Sequence, residues 1–182
     1  MDTQHNSLSA WMEAVLATPS GTWEQLPDLD LYMDQVVRLM EKYLDLVRDM
    51  GDEKLLTSGM INNYVKGGAL PRPVQKKYGR EHLALLQLIC LLKPVLPLSE
   101  VTKLTQDICA DDRVAELYTE IMRVHTEELQ QVVERIERIG TEDKRTMYSC
   151  AIVLALEANA RRLAALHILE QTFEDLPAEG RE

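Results

Sequence analysis

Apolar positions step by three and four along most of the chain, and that period sets the expected architecture. Val114, Tyr118, Ile121, His125, Leu129, Val132, Ile136 and Ile139 form one such series and predict a long helix over 111–139. Gly140 stops it, and Thr141 is placed to cap a last helix from about Glu142 to Phe173. That last segment is apolar over much of its circumference, with Ala151, Leu154, Ala158, Leu163, Leu166 and Leu169. Two long helices joined by a tight turn predict an antiparallel hairpin. Two helices cannot hide so much apolar surface alone, so the hairpin is expected to pack on the rest of the chain or on a second subunit. Ala155, Ala160, Ala164 and Ala165 would let a neighbouring helix approach closely.

The same period runs through the first half. Leu8–Leu16 reads as a short amphipathic helix capped by Ser7, with Trp11, Val15 and Leu16 on one side. Thr18-Pro19-Ser20-Gly21 breaks it, and Trp23 and Leu26 are expected to pack back on the body. A second helix is expected from Asp28 or Asp30 to about Met50, with a core stripe of Leu31, Val36, Val37, Met40, Tyr43, Leu44 and Val47. A short third one lies between the caps Thr57 and Ser58 and the stop Gly67-Gly68, and it buries Ile61, Tyr64 and Val65. After Tyr78 comes a helix to about Lys93 that is apolar nearly all round and therefore central, with Leu83, Leu86, Ile89 and Cys90 among its most buried residues. Pro94 and Pro97 end it, and a further helix runs to about Ile108 with Ser99 as its cap. The expected class is all-α with about six helices and at most a tiny two-stranded wing around 70–78.

Composition bounds the rest. At 182 residues and 46% hydrophobic, the chain supports a core of mainly aliphatic side chains, since it holds one Phe and two Trp. Cys90, Cys109 and Cys150 lie in apolar contexts without zinc-ligand spacing, and read as reduced thiols of a cytoplasmic protein. The N-terminal stretch has no signal-peptide pattern, and no apolar run reaches the roughly 20 residues of a membrane span.

Charge changes the picture in one place. The net charge is −10, yet from Lys54 to Pro94 seven Lys/Arg face one acid, Glu81. That stretch is therefore +6 and the remainder −16. From Thr105 onward the balance is −8, which disfavours that half as a nucleic-acid surface. Within the basic stretch, Asn62, Asn63 and Lys66 fall on the solvent face of the short helix. An Asn amide can both donate to and accept from an adenine edge, and Lys can reach a guanine or a phosphate. An ordinary solvated face has the same look, but the following loop adds cations. Leu70-Pro71-Arg72-Pro73 is extended, Lys76 and Lys77 stand side by side, and Arg72 and Arg80 flank them. Cations on a loop beside an exposed helix are what phosphate contacts need.

Residues 60–92, MINNYVKGGALPRPVQKKYGREHLALLQLICLL, resemble the segment of MerR-type regulators that joins recognition helix, wing and third helix. Tyr64, Gly68, Leu70, Pro71, Tyr78, Arg80, His82 and Leu83 occupy comparable places, and Leu98–Val101 matches the opening of the helix that follows. The chain is also similar to a bacterial family known as domain-of-unknown-function family 1836, through Pro27–Val36, Met60–Tyr64 and Lys76–His82. The MerR resemblance implies a winged helix-turn-helix over 28–104, between a helical arm at 1–27 and a hairpin at 105–182 that dimerises or senses. The chain departs from the MerR pattern at Met50–Lys54, which intervenes before the recognition helix. The candidate DNA-binding set is Ser58, Asn62, Asn63, Lys66, Arg72, Lys76, Lys77, Tyr78 and Arg80.

No catalytic constellation stands out. The sequence holds no Gly-rich phosphate loop, nucleophile elbow or paired-carboxylate motif, and no cofactor is expected. His125, Glu128 and His167 could in principle meet a metal, but helical His residues on apolar stripes are more often structural. The reading is a non-enzymatic DNA-binding regulator, a homodimer through its last helices, acting on double-stranded DNA. The alternative is a protein–protein interaction module that kept the scaffold and lost DNA.

Overall fold

The computed structural model describes residues 7–47, 56–111, 113–140 and 143–174. Among these are seven α-helices and one two-stranded sheet: α1 (Leu8–Ala17), β1 (Leu31–Tyr32), α2 (Met33–Tyr43), α3 (Ser58–Lys66), β2 (Lys77–Tyr78), α4 (Arg80–Leu92), α5 (Leu98–Ala110), α6 (Val114–Ile139) and α7 (Lys144–Glu174). Single 3₁₀ turns lie at Trp23–Gln25 and Asp45–Val47. The all-α expectation is borne out. The chain divides into two compact units between Glu134 and Arg135. Most of α6 therefore belongs with the first unit, whereas the expected division fell at Leu104/Thr105.

In the first unit the core is built on α4. Leu83, Ala84, Leu85, Leu86 and Ile89 are fully buried, as the all-round apolar sequence of this helix requires. α2 packs across it with Val36, Met40 and Leu44, which sit at i, i+4 and i+8 on one face and are all but sealed from solvent. Each such side chain stabilises by about 1.5–3 kcal/mol relative to exposure.

The expected helix from Asp28 or Asp30 to Met50 is shorter at both ends. Leu31 and Tyr32 are extended and pair antiparallel with β2, Leu31 opposite Tyr78 and Tyr32 opposite Lys77. α2 then starts at Met33, where Gln35 Oε1 accepts from the Tyr32 N–H and satisfies one orphan donor. It closes at Tyr43, and the Leu44 N–H still donates to the Met40 carbonyl. The intervening Met50–Lys54 segment lies outside the described residues.

Around this core, Ser7 caps α1 as expected, its Oγ accepting from Ala10 N–H at 3.2 Å. Val15 is buried, but Leu16, expected beside it, is exposed, because it falls a further 100° round the helix. Leu26 is buried, and Trp23 meets Tyr118 edge-on with ring centroids 6.4 Å apart. α5 starts at Leu98, with Pro97 at its N-cap rather than Ser99, two residues further on. Val114 and Tyr118 of α6 are buried.

In the second unit, Gly140 adopts φ +83°, the left-handed conformation that ends α6. Thr141, the expected cap of the next helix, lies outside the described residues. Asp143 does that work: its Oδ2 accepts from the Thr146 N–H at 2.9 Å and from the Thr146 hydroxyl at 2.8 Å. Arg135 and Glu157 are ion-paired at 2.6 Å. Along α7, Tyr148, Ile152, Leu156 and Leu163 are exposed. Among the described residues no helix is long and apolar enough to cross a membrane.

Candidate nucleic-acid interface

α3 is fixed at both ends by its own sequence. Thr57 is the N-cap, and its Oγ1 accepts from Met60 N–H at 3.2 Å. At the other end Gly67 N–H donates to the Asn63 carbonyl, Gly68 N–H to Val65, and Leu70 N–H to Tyr64. Gly68 sits at φ +78°, and a Cβ there would come within 2.8 Å of Gln106 Nε2, which itself donates to the Gly68 carbonyl at 3.3 Å. Only glycine suits that turn. Ile61 and Tyr64 anchor the helix in the core, and burial pushes the Tyr64 phenol up to about 12.

The opposite face is solvent. Ser58, Asn62 and Lys66 are exposed at i, i+4 and i+8, and Asn63 is exposed beside them. Lys66 and Arg72 line one shallow cleft of about 430 Å³, together with Leu70 and Pro71 from the loop and Gln106 and Cys109 from α5.

The loop is a hairpin. Val74 and Lys77 exchange both backbone hydrogen bonds, N–H to carbonyl at 3.1 and 2.9 Å. The two residues between them, Gln75 and Lys76, have φ of +50° and +64°. This is the two-residue turn normally built with Asn-Gly, and ordinary side chains pay roughly 1–2 kcal/mol each to enter it. It holds Lys76 at the tip, exposed. A hairpin thus stands where a small two-stranded wing is expected, but its sheet partner is β1, over residues that the sequence reading places at the start of a helix.

Two members of the expected DNA-binding set are held elsewhere. Tyr78 is buried, its ring edge-on to His82 at 5.4 Å, so it fastens the hairpin to the core. Arg80 is half-buried, ion-paired to Asp28 at 3.3 Å, with its guanidinium 5.5 Å above the Trp23 ring. Lys77 is intermediate: half-exposed, its ammonium lies 5.4 Å from the Tyr32 ring centroid. The structure therefore leaves Ser58, Asn62, Asn63, Lys66, Arg72 and Lys76 exposed.

Sequence reasoning missed the residues that position this face. His82 Nδ1 accepts from Gly79 N–H at 3.2 Å and so caps α4. Burial lowers its pKa, against the opposing pull of the Arg72 and Pro71 carbonyls and the Glu81 and Asp30 carboxylates. Its place three residues after Gly79 was a legible signal. Trp23 is expected only to pack back on the body, and Asp28 and Tyr32 carry no local signal for their contacts with Arg80 and Lys77. Among the described residues no three His, Cys, Asp or Glu side chains gather as a metal site. His125 is half-buried on α6, and His167 is exposed on α7 beside Glu170.

A family model described as Domain of unknown function (DUF1836) matches residues 21–124. The chain belongs to the DUF1836 family. The DUF1836 segment runs from the turn before Trp23 into α6, and it contains every residue of the candidate interface. α1 and α7 lie outside it. No curated protein and no solved structure matches the chain.

Proposed function

We propose that this DUF1836 protein is a DNA-binding transcriptional regulator with a MerR-like winged helix-turn-helix. In this reading α2 supports the recognition helix α3, and the 70–78 hairpin is the wing. The observation that carries it is the α3 face: Ser58, Asn62, Asn63 and Lys66 are exposed together on a helix locked at both ends. A cationic hairpin with a strained, exposed tip follows it in a chain of net charge −10. Asn62 and Asn63 would read base edges in the major groove, and Lys66, Arg72 and Lys76 would hold phosphates.

Homodimerisation through α7 belongs to the same reading. Tyr148, Ile152, Leu156 and Leu163 form one exposed apolar stripe at helical spacing. The first turn of α7 carries Lys144 and Arg145 and no acid, and its last turn carries no base. The last turn opposes the preference of the helix dipole, and at the first turn only the Asp143 cap offsets the two cations. An antiparallel pairing of two copies relieves this, because the cationic start of each helix then meets the end of the other. A two-fold dimer implies a nearly palindromic site with half-sites about one helical turn apart, or a multiple of it.

The two groups of residues should respond differently to substitution on duplex DNA. Lys76→Ala weakens binding to all sequences and lowers the salt slope by about one. Asn62→Ala or Asn63→Ala costs roughly 1–3 kcal/mol on the preferred site and little elsewhere. Fluorescence anisotropy with a labelled duplex measures both. If none of these variants differs from the wild-type chain, the interface is elsewhere and the protein–protein module becomes the better reading.

A further inference from the structure

A cleft of about 590 Å³ lies in the first unit between α1, the end of α2, α4 and α6. Its size is that of a small-molecule site. Ala14 and Ala17 make the α1 wall, and Leu46, Gln87, Tyr118 and Met122 line the other sides. A smaller recess shares Gln87 and Met122 with it and extends to His125, whose pKa burial lowers.

Gln87 is the anomaly. It stands in the middle of α4, where Leu83, Ala84, Leu85, Leu86, Leu88 and Ile89 are all buried and apolar. Among the described residues the buried polar side chains are Gln87 and Thr105. Thr105 is satisfied within its own helix, donating to the Thr102 carbonyl. Gln87 instead reaches across to α6, where its Oε1 accepts from the Tyr118 hydroxyl at 3.0 Å. That bond fixes the carboxamide and leaves its N–H donors for a further acceptor. A leucine would fill the same place without the cost of burying an amide.

The neighbouring residues keep the space open. A Cβ on Gly21 would come 3.3 Å from Tyr118 Oη and 3.5 Å from Met122 Cε. The α1 wall is alanine where larger side chains would close the cleft. The charged residues on the lining, Lys42 and Asp45, have opposite signs, so the site has no net demand for a charged ligand.

We propose that this cleft binds a neutral, largely apolar small molecule whose hydrogen-bond acceptor takes an N–H of Gln87. The proposal is separate from the DNA reading, and its test contains no DNA. The probe is 6-propionyl-2-dimethylaminonaphthalene, a neutral aromatic ketone whose emission reports the polarity around its carbonyl. The expected result is a saturable blue shift at one probe per chain, with quenching of the Trp11 and Trp23 emission by energy transfer. Ala17→Trp and Ala14→Phe, each filling the α1 wall, abolish both signals. Gln87→Leu lowers affinity about tenfold, as the loss of one hydrogen bond would. Ile168→Glu, exposed on α7 away from its apolar stripe, changes nothing.

Circular dichroism establishes that each variant is folded. The absence of saturable binding or of tryptophan quenching in the wild-type chain overturns the proposal, and needs no variant. So does equal affinity in the folded wall variants, unchanged affinity in Gln87→Leu, or loss of the signal in Ile168→Glu.

Discussion

Arg80 opens α4 and reaches back to Asp28, Nη2 to Oδ1 at 3.3 Å, while its guanidinium covers the Trp23 ring. A cation that the sequence assigns to DNA is thus occupied in tying the 21–32 segment to the core. Asp28 is largely exposed, so the ion pair itself contributes little. The packing on Trp23 contributes more, through the aromatic face and the buried aliphatic stem. Arg80→Ala should therefore lower stability by roughly 1–2 kcal/mol, and Asp28→Ala by less than about 0.5. Urea unfolding measures both, and a larger effect from Asp28→Ala would contradict this division.

The hairpin tip gives a prediction of opposite sign. Gln75 and Lys76 hold left-handed backbone that Asn and Gly adopt more readily. Gln75→Asn with Lys76→Gly should stabilise the protein by about 1 kcal/mol. The same double variant should bind DNA more weakly at low salt, because it loses a phosphate contact. A gain in stability with no loss of binding would separate the turn from the interface.

Acidification should destabilise the first unit. Burial lowers the pKa of both His82 and His125 from the ordinary 6.5. In the unfolded chain each takes a proton near that value. Below it the unfolded state binds more protons than the folded one, so stability is fully present above 6.5 and is lost as pH falls towards the folded pKa. For His82 the proton also removes the Nδ1 acceptor of the Gly79 bond. The urea midpoint should fall between about pH 7.5 and about pH 5.5, and by less in the His82→Gln/His125→Gln variant. An identical pH dependence in the two proteins would refute the assignment.

The α7 stripe predicts an assembly. Light scattering at micromolar concentration should give twice the chain mass of 20.8 kDa. Ile152→Glu with Leu156→Glu should return a monomer that keeps its helical signal. A wild-type monomer at that concentration would remove the dimer.

Much of this was legible because helical period and capping are local. Thr57, Gly68, Gly140 and the α4 core positions Leu83, Leu86 and Ile89 follow from residues a few places away. What escaped reading depends on distant partners. Leu31 and Tyr32 look like the first turn of α2 and become a strand only because Lys77 and Tyr78 come alongside. Tyr78 and Arg80 look like interface residues until the core and Trp23 claim them. Gln87 acquires meaning only when Tyr118, far along the chain, is placed beside it.

The most direct test of the regulator account is selection of bound sequences from random duplex DNA, followed by titration of the winner and a scrambled control at two salt concentrations. The account predicts an enriched, nearly palindromic motif, bound more tightly than the control at both concentrations. Affinity for both duplexes should fall as salt rises, because the cations displace condensed counterions. A wild-type protein that enriches no motif, and binds duplex no better than an unrelated acidic protein, would contradict it.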